Sequence, residues 1–145
     1  MANTTLASLG SSVCVNDEDE HFVPALGNAA AVPGDACCVL TTGKVGPTKD
    51  GTTEEFVGFL MESPVTGTED AIADGTPCSL VVPKGGHRYR IRILDTMDIE
   101  PAGTGLGFSA TDYKMEELDD AELAVARLSL PMITDDDTVC EIYWK

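Results

Sequence analysis

The chain has little of what most often discloses a protein's function. Of its 145 residues two are histidines and nine are basic, against 25 acidic ones, so the formal net charge is −16. A surface of that sign repels phosphate backbones, so we expect no direct binding of nucleic acid. No run reaches the roughly 18 apolar residues of a membrane helix, and no basic stretch leads into a hydrophobic one at the start. Neither a membrane span nor a signal segment is predicted.

Motifs for catalysis and metal binding are also missing. The chain has five cysteines, at Cys14, Cys37, Cys38, Cys78 and Cys140. None form a CxxC pair, and two are adjacent, which is poor geometry for a tetrahedral metal. There is no phosphate-binding glycine loop, nucleophile elbow or HExxH motif, and nothing supports a Cys78–His87 dyad. We predict that the chain is not an enzyme, needs no metal or cofactor, and buries its cysteines as small apolar residues in a reducing compartment.

From residue 32 onward the sequence is typical of β structure. Turn signals recur at Pro33-Gly34, Thr42-Gly43, Asp50-Gly51, Thr66-Gly67, Asp74-Gly75, Lys84-Gly85-Gly86 and Ala102-Gly103. Short apolar runs fill the intervals between them. This spacing predicts a mainly β fold, a compact sandwich or barrel-like domain over residues 32–145. Residues 56–61 are apolar on both faces and are predicted to be a central strand.

The second half of the chain repeats the first in pattern. Lys44, Pro64 and Cys78 in the first half correspond to Lys114, Pro131 and Cys140 in the second. Each copy has a glycine turn, a short strand, a hairpin, an apolar strand that ends in proline, and a last strand. We therefore predict two duplicated small β units, over residues 32–94 and 101–145. Their period is longer than that of solenoid repeats.

Residues 1–31 differ in composition and are predicted to form an extended N-terminal arm. Serine, threonine, alanine, asparagine and glycine dominate, and the apolar residues follow no clear period. Such a segment buries little by itself, so it is either a disordered tail or an arm that orders on a neighbouring subunit. On the second alternative the candidate partner-binding residues are Leu6, Leu9, Val13, Val15, Phe22 and Val23.

The clearest strand pattern covers residues 87–94. Tyr89 and Ile91 fall on one face of it, whereas Arg88, Arg90 and Arg92 fall on the other. The arginines either pair with the chain's own carboxylates, which we favour, or dock as a basic stripe on an acidic partner surface. On the second alternative Arg88, Arg90 and Arg92 join the candidate partner-binding residues of the arm.

Residues 115–130 fit two patterns. Met115, Leu118 and Val125 have helical spacing, whereas the internal repeat requires a strand there. We predict a short helix or turn over residues 115–121, followed by a strand over 123–130. The run Asp135-Asp136-Asp137 is predicted to be a hairpin tip.

The order of these features resembles that of a known family. The relevant segments are Val32-Pro33-Gly34-Asp35, Gly43-Lys44-Val45, Phe56-Val57-Gly58-Phe59-Leu60-Met61-Glu62-Ser63-Pro64 and residues 75–82. They resemble the capsid decoration, or cement, proteins of tailed double-stranded DNA viruses. The likeness covers residues 32–145.

The resemblance implies a β-rich virion protein made in the host cytoplasm and carried on the outer capsid surface. Such proteins are often homotrimers that bridge neighbouring major capsid proteins and so stabilise the icosahedral shell. Two alternatives remain. One is another virion component, such as a tail, head-fibre or adaptor subunit; the other is an acidic non-viral β binding module from a halophilic or marine source.

Overall fold

A computed structural model describes Leu6, Leu9 and residues 12–16, 19–47, 56–64, 67–93, 97–108, 114–118, 124–133 and 139–145. These residues are all-β, as the sequence predicts. The strands are β1 (His21–Gly27), β2 (Ala36–Val39), β3 (Val45–Gly46), β4 (Phe56–Leu60), β5 (Thr76–Val82), β6 (Arg88–Arg92), β7 (Gly105–Phe108), β8 (Met115–Glu117), β9 (Ala126–Leu128) and β10 (Val139–Trp144). Within the described ranges no helix is long and apolar enough to cross a membrane.

The strands form two five-stranded sheets that follow one another along the chain. Strands β1 to β5 close into a barrel in the order β1-β3-β2-β4-β5, which we call the first barrel. Strands β6 to β10 form the second sheet, in the order β6-β10-β9-β7-β8. A parallel bridge between Ile93, directly after β6, and Met115 in β8 brings the two outer strands of that sheet together. The second sheet is therefore rolled in the same sense as the first barrel.

The two sheets share one strand order. Read through the Ile93–Met115 bridge, the second sheet runs β6-β8-β7-β9-β10, which matches β1-β3-β2-β4-β5 strand for strand. The registers also match. Val39 lies opposite Val45 as Phe108 lies opposite Met115. The pair Leu60–Leu80 corresponds to Leu128–Ile142. The pair Ala25–Cys78 corresponds to Ile91–Cys140.

The turn before the second strand of each unit repeats in hydrogen bonding too. Gly34 N–H donates to Leu60 O at 2.8 Å, and Gly103 N–H donates to Leu128 O at 2.7 Å. Both glycines have positive φ, 95° and 90°, a region that favours glycine. The sequence pattern at these turns therefore reflects a shared backbone geometry.

The unit boundaries differ from the sequence prediction in two places. The first strand of the first barrel, β1, comes from the segment assigned to the arm, and it pairs with β5 over its whole length, from His21 to Gly27. Strand β6, assigned to the first unit, begins the second sheet. The arm prediction was wrong for β1 because its outward residues, Phe22 and Leu26 among them, are as apolar as its inward ones. Without polar alternation, a period-two search does not detect a strand.

Strands elsewhere follow the sequence with one exception. Tyr89 and Ile91 are fully buried and Ile93 is 2% exposed, as the alternation over residues 87–94 predicts. The predicted helix or turn at residues 115–121 is wrong where the structure describes it, because Met115–Glu117 is strand β8, paired with β7. The strand predicted over 123–130 is present as β9. The predicted hairpin tip at 135–137 lies outside the described residues.

The first barrel and the second sheet are joined by an aromatic cluster. Phe56 and Phe59 project from β4 against Tyr89, Phe108 and Trp144 of the second sheet. The ring centroids of Phe56 and Phe108 are 4.8 Å apart, those of Phe56 and Trp144 5.7 Å, and those of Phe59 and Tyr89 5.9 Å. This contact places the outer face of β4 in the same core as the inside of the second sheet. A separate core fills the first barrel around Leu60 and Leu80.

Gly58 allows strand β4 to lie close against β5. A Cβ atom at this position would lie 2.4 Å from the carbonyl oxygen of Val81, far inside van der Waals contact. Phe59 and Leu60, the next two residues, are fully buried in the two different cores. Any displacement of β4 therefore disturbs both cores.

We expect Gly58→Ala to destabilise the fold by about 1–3 kcal/mol, because the added methyl group displaces β4 from β5. Urea unfolding followed by tryptophan fluorescence measures the change. Gly85→Ala is the matched control, because a Cβ there would meet its nearest atom at 3.6 Å, an ordinary contact. Equal stability of the Gly58→Ala variant and the wild type would contradict the close packing of β4.

Candidate docking surfaces

The N-terminal segment is packed onto its own chain. Cys14 forms an antiparallel bridge with Tyr89, Val15 N–H donates to Arg88 O at 3.2 Å, and Arg90 N–H donates to Val13 O at 2.7 Å. Residues 13–15 therefore extend the second sheet beyond β6 as a short added strand. Val13 N–H also donates to the Glu62 carboxylate at 2.9 Å, which ties this added strand to the first barrel.

The candidate partner-binding residues of the arm have different positions. Leu6 and Val13 are fully buried in the core shared by the two sheets, and Leu9 is packed against it. Val15 is half-buried beside β6, and Val23 is half-buried in β1. Phe22 is 48% exposed. Of the six, Phe22 is thus the one with a large apolar area facing solvent.

The arginine stripe contacts the chain's own groups, mainly backbone oxygens and in part the carboxylates that we favoured from the sequence. Arg92 donates to the backbone oxygens of Pro33 and Thr68, both at 2.9 Å, and lies 3.1 Å from the Glu69 carboxylate. Arg90 donates to Ser12 O at 3.2 Å. Arg88 and Arg90 each lie 3.9 Å from a Glu141 oxygen, and the Arg88 side chain is 54% exposed. Arg90 and Arg92 therefore join the second sheet to the N-terminal segment and the first barrel.

A buried carboxylate ties the start of β1 to the second sheet. The Glu20 side chain is 2% exposed; it accepts a hydrogen bond from Tyr89 Oη at 2.8 Å and pairs with His87 Nδ1. Tyr89 Oη in turn accepts Lys84 N–H at 2.9 Å. Burial raises the pKa of the Tyr89 hydroxyl above its ordinary value, with the Lys84 N–H acting in the opposite direction and Glu20 adding to the rise. Because Glu20 binds both Tyr89 and His87, its carboxylate holds the start of β1 against the second sheet.

One exposed apolar surface lies on β1. Phe22 and Leu26 are 48% and 50% exposed, and Pro24 between them is also exposed. We call these three residues the β1 edge. The sequence pattern singled out Phe22 but not Leu26, because Val23 and Ala25 are apolar as well and no alternation separates the outward residues from the inward ones.

A second set of exposed apolar residues lies in the loops that connect strands of the second sheet. Ile99, Leu130 and Ile133 are 58%, 47% and 62% exposed, and we call them the second-sheet patch. Met132 N–H donates to Glu100 O at 2.9 Å, which brings the two segments of this patch together. Leu130 and Ile133 line a small groove together with Leu9 and Pro131. The sequence pattern does not reveal this patch, because its members come from loops without periodicity.

The cysteines are all thiols, with no disulfide among them. Four are buried and Cys78 is partly exposed, at a cavity of about 260 Å³ lined by Met61, Pro77 and neighbouring residues. Burial raises the pKa of the Cys37 thiol well above its ordinary value, with the nearby Asp35 charge adding to the rise, and burial also raises that of Cys78. Within the described residues no three or more His, Cys, Asp or Glu side chains are grouped to hold a metal ion.

Comparison with known proteins adds no identification. No protein-family profile matches the chain, and no curated protein is significantly similar to it.

We expect Tyr89→Phe to lower stability at pH 7 by about 1–3 kcal/mol, because Glu20 and the Lys84 N–H lose their buried partner. The wild type should also lose stability above about pH 10, where the unfolded chain releases the tyrosine proton that the folded chain retains. Tyr89→Phe removes that part of the alkaline decline. Urea unfolding at pH 7 and between pH 9 and 11.5 measures both effects. Tyr143→Phe is the control and should keep the decline; an unchanged decline in Tyr89→Phe would contradict the assignment.

Iodoacetamide should modify Cys78 of the native protein before the other four cysteines, because it is the most exposed of the five thiols. Mass spectrometry of peptides from a timed reaction gives the order. The Cys78→Ser variant should stay unmodified until denaturant is added. Early labelling of Cys37 or Cys140 in the wild type would show that the cores open under native conditions.

Proposed function

We propose that this protein is a structural virion protein that binds the outer surface of an icosahedral capsid and stabilises it by bridging neighbouring major capsid proteins. The observation that supports the proposal is the presence of two exposed apolar surfaces on one double-sheet body. The β1 edge lies on the first barrel and the second-sheet patch in loops of the second sheet. A bridging protein needs two separate contact surfaces held at a defined angle, and this arrangement supplies them.

The joint between the sheets supports this role mechanically. A bridge resists separation of its two partners only if it does not bend between them. Phe56 and Phe59 pack against the aromatic residues of the second sheet, and Arg92 binds Pro33 and Thr68 of the first barrel. Dense packing of this kind gives a body of low compressibility.

The resemblance and the charge support the same role. The segments that carry the resemblance to capsid decoration proteins contain the turn at Gly34, the first residue of β3, and the whole of β4 and β5, all in the first barrel. The net charge of −16 keeps the free protein soluble and repels the genome. Many copies on a symmetric lattice bind with high avidity even if each contact is weak, and a homotrimer would add to that avidity.

Binding by this chain would use folded surfaces, not a free arm. The apolar residues Leu6 and Val13 are buried in the chain's own core, so they are not available to a neighbour. The exposed residues of the two surfaces, and not the arm, would then contact the neighbouring capsid proteins.

The test is sedimentation of the protein with capsids of its virus in a density gradient. We expect a copy number near that of the major capsid protein for the wild type. The double variant Ile99→Ser/Leu130→Ser should lose occupancy at least about tenfold, because each exposed side chain contributes roughly 1–2 kcal/mol when buried. Val39→Ser, a substitution of a 46% exposed residue outside both surfaces, should bind as the wild type does.

Other outcomes point to the alternatives. A few copies per particle would indicate a tail, head-fibre or adaptor subunit. Protein found in the soluble fraction alone would overturn the proposal and favour an acidic non-viral binding module. Full occupancy by the double variant would remove the second-sheet patch from the contact.

A further inference from the structure

The internal repeat makes β1 of the first barrel the counterpart of β6 in the second sheet. Both strands pair with the last strand of their unit, and the matching registers place Phe22, Pro24 and Leu26 where Arg88, Arg90 and Arg92 lie. The outward side chains thus correspond one to one. The two strands differ in how much of the outer edge the described residues cover.

On β6 the outer edge is covered by the chain itself. Arg88 O accepts Val15 N–H, Arg90 N–H donates to Val13 O, and Arg92 N–H donates to Gly34 O at 2.9 Å. An extended segment and a turn therefore satisfy the backbone groups that β10 does not reach. The segment lies antiparallel to β6, as the Cys14–Tyr89 bridge shows.

On β1 the same backbone groups point outward. Gly27 O accepts Gly75 N–H on the β5 side, whereas Asn28 N–H donates to Val45 O on the opposite side. Because these directions alternate along a strand, the N–H groups of Phe22 and Leu26 face the outer edge. Among the described residues, β3 meets this edge at Gly27 alone, and no strand pairs with it at Phe22. Pro24, which has no N–H to donate, occupies a position that is tolerated on an outer edge.

We infer that the β1 edge is a strand-acceptor site, which binds an extended segment of a partner protein antiparallel to β1, as residues 13–15 bind to β6. The inference rests on the proposed function in that the partner is the capsid protein. Main-chain hydrogen bonds to Phe22 and Leu26 supply the recognition, and the exposed side chains of these two residues pack against apolar side chains of the added strand.

The chain's charge defines the composition of the added segment. With a net charge of −16, and Asp19 exposed at the start of the edge, the surface favours a segment with basic rather than acidic flanks. Alternate residues of the segment must be apolar to cover Phe22 and Leu26. The partner is therefore an extended, basic and apolar capsid-protein segment, and not a second copy of this acidic chain.

A peptide titration tests the edge without a capsid. The probe is the acetylated, amidated heptapeptide Lys-Val-Thr-Val-Thr-Val-Lys, added at millimolar concentration to the ¹⁵N-labelled full chain. We expect amide exchange at Phe22 and Leu26 to slow at least about fivefold, as one net hydrogen bond implies. The same peptide N-methylated at alternate amides should have no effect. The inference would be overturned if the peptide did not slow exchange at these amides, or if both peptides slowed it equally. It would also be overturned if these amides were already protected without peptide and the protein sedimented as an oligomer, because a second copy would then cover the edge.

Capsid binding then tests the identity of the partner. Leu26→Pro and Leu26→Ser both remove the leucine side chain, but proline also removes the outward N–H. We expect Leu26→Pro to lose capsid affinity about fivefold more than Leu26→Ser, and thermal unfolding controls for folding. Equal losses would overturn recognition through the main chain. If the wild type does not bind capsids but the peptide protects the edge, the proposed function fails and the acceptor site stands.

Discussion

The contact between the outer face of β4 and the second sheet is the constraint on which the rest of the structure depends. Phe59 is fully buried between Tyr89 and Trp144, with ring centroids 5.9 Å from each. Its neighbour Leu60 points the other way, into the first barrel. A single strand thus belongs to two cores, and this is possible because Gly58 lets it lie against β5. The angle between the sheets, and with it the relative placement of the two exposed apolar surfaces, follows from this contact.

The two units share one strand order but differ in the side chains on the outward face of their first strand and in the segments that contact it. On β6 the outward positions are arginines, whose long side chains reach carbonyl oxygens of the N-terminal segment and the Gly34 turn. On β1 the corresponding positions are Phe22, Pro24 and Leu26, which have no such neighbours among the described residues. A guanidinium that donates to internal carbonyl oxygens stabilises a contact within the chain. An exposed apolar strand edge is instead stabilised when a further strand or another protein surface covers it.

The N-terminal segment connects these two features. Glu20 is held by Tyr89 and His87, and residues 13–15 extend the second sheet. The segment therefore stabilises the second sheet and positions β1, which follows it directly. A chain with a surplus of carboxylates uses this one, buried beside a tyrosine and a histidine, as a structural group.

Local sequence patterns predicted the β class, the strand at residues 87–94 and the matching features of the two halves, and they favoured internal partners for the arginines. These are local properties: alternation, turn residues and composition act over a few neighbouring positions. Only the tertiary contacts show that His21–Gly27 is a barrel strand, that Leu6 and Val13 belong to the core, and that Leu130 and Ile133 line one groove with Leu9. Each of these depends on residues distant in sequence, and an apolar residue has the same local pattern whether it packs on its own chain or awaits a partner.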